Sequence, residues 1–121
     1  MIPPIFPICA ADAAVQAQLG TAPTRLYAWD EAEQDGATPY AVWQVITGAP
    51  ENHLGDAPDV DRFTVQVDAY ARTGAEVLAV AEALRDAIEP HAHIVRWGDQ
   101  TTDPDTGLRR YSFDVSWHVL R

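Results

Sequence analysis

Lysine is missing from this chain: all eight of its basic residues are Arg. Covalent chemistry through a lysine side chain is therefore excluded, leaving only the N-terminal amine. Cysteine occurs once, as Cys9. An intrachain disulfide and a cysteine metal cluster are both ruled out, and with no His-bearing motif beside it Cys9 reads as a small buried residue. Positive charge is scarce altogether, with 8 basic residues against 18 acidic ones and a formal net charge of −10. Such a chain is repelled by nucleic acid unless its arginines cluster, and Arg109–Arg110 is the only adjacent pair. No apolar run approaches the ~18 residues of a membrane-spanning helix. The opening MIPPIFPICAADA carries no basic segment, and Pro3, Pro4 and Pro7 interrupt what would be the apolar centre of a signal peptide. The expectation is a protein made and kept in a cytoplasm, with no membrane partner.

What is present is enough for one domain, expected to span residues 1–121. A chain of this length buries roughly two-thirds of its unfolded surface without help from metal or disulfides. Ile8, Ala11, Val15 and Leu19 recur at helical spacing, with Pro7 suited to the first turn and Gly20 to the stop, so one short helix is predicted over about 7–19. TRLYAW (24–29) reads as a short strand and the acidic 30–39 segment as a loop. YAVWQVIT (40–47) is a strand, and 48–59, with two glycines and two prolines, a long loop or extended arm. RFTVQVDAYA (62–71) alternates, with Phe63, Val65, Val67 and Ala69 inward and Thr64, Gln66, Asp68 and Tyr70 outward. Residues 73–88 form the clearest helix, opened by a Thr73/Glu76 capping box and ended by Pro90. A strand at 93–97, a turn-rich connection at 98–107 and a last strand at 108–120 follow. Alternating strands argue for an antiparallel sheet with one covered face. The fold class expected is α+β, a two-layer domain with a largely antiparallel four- to five-stranded sheet and two helices packed on one face.

Two features invite a catalytic reading. Ser112, Asp114, Ser116 and His118 are the ingredients of a hydrolytic triad, but they alternate along one strand. Side chains two apart on a strand stand parallel at roughly 6.5–7 Å, whereas a triad needs convergent bonds of roughly 2.6–3.2 Å. They form a row on a sheet face. His91 and His93 make an H-x-H pair with no third ligand close in sequence, although Asp99 or Asp103 could approach in space. DPDTG (103–107) lacks the length and the bidentate Glu of a calcium loop and reads as a type I turn. Phosphate-binding glycine loops, nucleophile elbows and H-E-x-x-H are all absent from the sequence. No cofactor, no metal and no enzymatic activity are expected. Interaction surface is what stands out. The loops at 30–39 and 48–59 are long for so small a domain, and Trp29, Trp43 and Trp97 lie in or beside short strands, where core packing competes with exposure.

Taken in order, CAADAAVQAQLG, TRLYAW, PYAVWQVITGAPENHLG, DRFTVQVDAYART, AEVLAVAEALRDAIEP and RRYSFDVSWHV resemble the tail-completion proteins of long-tailed bacteriophages, also described as tail terminators or head-to-tail joining proteins. The likeness runs through nearly the whole chain and rests on order and length. It implies an α+β virion protein that assembles as a ring, typically a hexamer, on the head-proximal end of the tail tube. The implied partners are further copies of the chain, the tail-tube protein and the head-side connector, with genome DNA passing through without specific binding. Candidate lumen positions are Glu31, Glu33 and Asp35. Candidate interface positions, placed by expected exposure, are Glu51, Asn52, His53 and Leu54 in the 48–59 loop, with Asp68 and Tyr70 on the polar sheet face. A head-side connector is the near alternative. A small cytoplasmic ligand-binding or enzymatic oligomer using His91, His93 or His118 is the distant one.

Overall fold

A computed structural model describes residues 2–32 and 36–121. The prolines at the start do not prevent helix: α1 runs Ile5–Ala10 with Pro7 in its first turn, where the missing N–H has no partner to lose. The single helix expected over about 7–19 is two. Asp12 takes an extended conformation and accepts hydrogen bonds from the Ala14 and Val15 N–H groups at 2.9 and 3.0 Å, so its side chain starts a new helix, α2 at Ala13–Leu19. Gly20 ends α2 at φ +79, the backbone region open to glycine, as its position suggested. Arg25 then ties the corner together, donating from Nη2 to the Gln18 carbonyl and from Nε to that of Pro39.

The strands are β1 (Leu26–Ala28), β2 (Tyr40–Pro50), β3 (Val60–Ala71), β4 (His93–Thr102) and β5 (Arg109–Leu120), with the helix α3 (Gly74–Ile88) between β3 and β4. They form one open five-stranded sheet in the order β1-β2-β3-β5-β4. Only the three-residue β1 pairs in parallel; the other three pairings are antiparallel, so the sheet is mixed but largely antiparallel. Thr73 caps α3 as expected, its hydroxyl accepting from the Glu76 N–H at 3.2 Å, but the reciprocal bond from the Thr73 N–H to the Glu76 carboxylate that completes a capping box is not formed.

Two boundaries move outward from their sequence-based limits. The 48–59 segment is not loop throughout: β2 continues to Pro50, and only 51–59 connect it to β3. Gly48 is tolerated because the Phe63 ring lies against its backbone, where an added Cβ would come within 2.8 Å of that ring. β4 likewise runs to Thr102 through irregularities at Ile94/Arg96 and Trp97/Gln100, which break the two-residue alternation that marks a strand in sequence. The turn shrinks to a hairpin in which Gly107 N–H reaches the Asp103 carbonyl and the Asp103 side chain accepts from Asp105 N–H.

All three helices pack on one face of the sheet, one more than the two expected. Ile5, Val15, Leu19, Val80, Leu84 and Ile88 from the helices meet Val65, Val67, Phe113 and Val115 from the sheet, every one of them fully buried. The result is the two-layer α+β arrangement, with the opposite sheet face left uncovered by helix. Among the described residues no helix is long and apolar enough to cross a membrane.

Candidate assembly surfaces

The uncovered sheet face is where the outward rows of β3 and β5 meet. Registry places Asp68 opposite Ser112, Gln66 opposite Asp114, Thr64 opposite Ser116 and Arg62 opposite His118. Two carboxylates on this face are held by neighbouring side chains. Arg110 Nη2 donates to Asp68 Oδ1 at 3.0 Å, and Gln66 Nε2 reaches both oxygens of the same carboxylate at 3.1 and 3.2 Å. Arg96 Nη1 lies 3.6 Å from Asp114 Oδ2, while Asp114 Oδ1 is buried without a hydrogen-bond partner. Tyr70 stacks on Tyr40 with ring centroids 4.9 Å apart, and burial pushes both phenols above their ordinary range. Asp68 is thus buried within a network rather than solvated, and Tyr70 is half-buried.

The Ser112, Asp114, Ser116, His118 row is one sheet row, as the alternation implied. Asp114 turns to Arg96, and His118 Nε2 lies 3.8 Å from Glu51. His91 and His93 are both exposed, and among the described residues no three His, Cys, Asp or Glu side chains gather into a metal-holding group. Cys9 is fully buried, and burial, with Asp12 adding to it, pushes its thiol up to about 12. The thiolate that nucleophilic chemistry requires is therefore strongly disfavoured.

The second surface is the end of the β2–β3 hairpin. From Val45 to Pro50 every residue of β2 is exposed, and the exposure continues through the connection to Ala57. Glu51, Asn52, His53 and Leu54 all lie here. His53 and Asp56 bridge to form a tight turn with Gly55 at φ +92, and Leu54 at its apex is 102% exposed. The Glu51 N–H donates to the Val60 carbonyl at 2.9 Å, and its carboxylate lies 3.4 Å from Arg62, so the base of the turn is tied to β3 while its apolar tip faces water.

Glu31 is exposed, in the turn that follows β1. Glu33 and Asp35 lie outside the described residues. The tryptophans divide by position in the sheet. Trp43 is buried, whereas Trp29 and Trp97 are 52% and 46% exposed at opposite edges. Sequence reasoning missed the Asp68–Arg110 pair and the placing of Trp29 and Trp97 at opposite edges of the sheet, because both depend on strand order. The one available signal was aromatic residues next to short strands.

A family model described as tail completion protein gp17 matches residues 3–120. A chain in the solved structure described as "Virion of native gene transfer agent (GTA) particle" shares the fold with a TM-score of 0.70 at 20% identity, over 97% of this chain and 92% of that one. No curated protein matches.

Proposed function

The chain belongs to the tail completion protein gp17 family, and from that premise we propose that it forms a ring, a hexamer, on the head-proximal end of a phage tail tube. Its broad role is that of a structural protein of the phage tail, carried in the virion. In the finer reading the ring ends tube polymerisation, docks on the head-side connector and lets the genome pass. Assembly takes place in the host cytoplasm. The family match over residues 3–120 is the observation that carries this reading. The exposed hairpin tip around Leu54 supports it, since a rigid base with an apolar end suits contact with another protein. The net charge of −10 supports the passage of DNA, because acidic walls repel phosphates.

Electron microscopy of lysate from a phage lacking this gene tests the role. Filled heads beside unattached tails of irregular length are the expected result. Normal joined particles would overturn it, and heads that leak DNA beside tails of normal length would move the protein to the head side of the junction. The acidic segment after β1 is proposed to line the lumen. Replacing Glu31 and Glu33 with Gln and Asp35 with Asn should slow or stall genome ejection, and unchanged ejection kinetics would remove that segment from the channel wall.

A further inference from the structure

A ring of identical subunits needs two different surfaces that fit each other, placed so that successive copies close rather than climb. Resting on the ring reading above, we infer that neighbouring copies meet through the two edges of the sheet on its helix-covered side: the hollow between Trp29 and Val45 on one copy receives Trp97 and Leu78 of the next.

The two edges carry unlike apolar patches. At the β2 edge, Trp29 stands edge-on to Trp43 with ring centroids 6.2 Å apart, and Ile2 and Val45 complete a shallow apolar hollow. β1 covers only Ala41–Trp43, so among the described residues β2 beyond Trp43 has no outer neighbour. At the β4 edge, Trp97 leans on Phe113 and Tyr111 with centroids 5.3 and 5.8 Å away, and Leu78 of α3 flanks it. Trp97 and Leu78 remain 46% and 40% exposed. An exposed tryptophan backed by buried aromatics is the kind of anchor that dominates interfaces.

Registry sets these patches nearly level. Ala28 pairs with Trp43, Trp43 with Val67, Val67 with Phe113 and Phe113 with Trp97, so the transverse row that carries Trp97 at one edge ends at Ala28, one residue before Trp29, at the other. Joining one end of that row to the other end in the next copy requires little shift along the strands. About an axis parallel to the strands, that contact closes into a ring, whereas a staggered one would climb into a filament. Charge argues against like-with-like contact at the β2 edge. Asp30 and Glu31 directly follow Trp29, so pairing two β2 edges would set acid against acid. Arg96 stands on the uncovered face, 3.6 Å from Asp114, outside the contact. The bulges in β2 and β4 interrupt the backbone ladder, so side chains rather than added strand pairing make the contact.

The test is cross-linking in assembled particles with a short bismaleimide. Val45→Cys and Glu82→Cys both lie at exposed positions beside the two patches, and buried Cys9 does not compete. The double variant should give a denaturing-gel ladder ending in one largest closed species, with each single variant remaining monomeric. Adding Trp97→Ala should weaken subunit association roughly thirtyfold, the scale of an interface anchor, and thin the ladder. Dimers from either single variant would overturn the inference in favour of like-with-like contact. So would the absence of a ladder in particles that hold several copies, and the ring itself would then stand. Particles holding a single copy would instead sink the ring reading.

Discussion

Phe113→Ala lowers the free energy of unfolding by about 3–5 kcal/mol in urea denaturation, against about 5–15 kcal/mol for a typical whole domain. Phe113 is the largest fully buried side chain. It sits in the middle of the transverse row, beside Val67 on β3 and beneath Trp97 on β4. Truncation therefore leaves a cavity where the helices meet the sheet and removes the backing on which Trp97 rests. Phe113→Leu, which keeps most of the volume, should cost much less. A denaturation midpoint near wild type for Phe113→Ala would mean the sheet repacks around the gap.

Arg110→Met should be the most damaging single change on the other sheet face, costing about 2–4 kcal/mol. Removing one partner of a buried ion pair typically costs about 3–5 kcal/mol. The lower range applies because the Arg110 side chain is 31% exposed, although that of Asp68 is only 12% exposed. The loss comes from leaving the Asp68 carboxylate with the neutral Gln66 amide but without its counter-charge, so replacing both partners behaves differently. Asp68→Leu with Arg110→Met should lie within about 1–2 kcal/mol of wild type, since apolar neighbours in a sheet tolerate each other. A double variant as unstable as the sum of the singles would show that the two groups act independently.

The fold was legible wherever a single period ran unbroken. The alternation from Phe63 to Ala69 and from Tyr111 to Val119 marked the two central strands, and the stripe on α3 marked the helix that covers them. It was obscure where a local side chain or an irregularity overrode the period. Asp12 divides a helix whose apolar spacing runs straight through it. The bulges in β4 disguise GDQTT as a turn, and Gly48 and Pro50 disguise the end of an edge strand as a loop. Of the candidate surfaces, the hairpin from Glu51 to Leu54 could be placed from its breakers alone. The burial of Asp68 could not, because its partner lies 42 residues away across a strand pairing that the sequence does not announce. Nor could Trp29 and Trp97 be recognised as edge residues before the strand order was known.

That order also governs time. β5, the last of the described strands in chain order, is not an edge: it lies between β3 and β4 and, among the described residues, is the only strand that β4 pairs with. A chain still emerging from the ribosome, with residues up to Leu108 exposed, has a β4 without a partner and a β3 bare along one side. Folding waits on contacts as distant as Val60 with Leu120, and topologies of this kind are slow to form. A message cut short before codon 109 therefore yields no nearly complete subunit that could enter an assembly and spoil it, but a chain lacking the strand that joins its two halves.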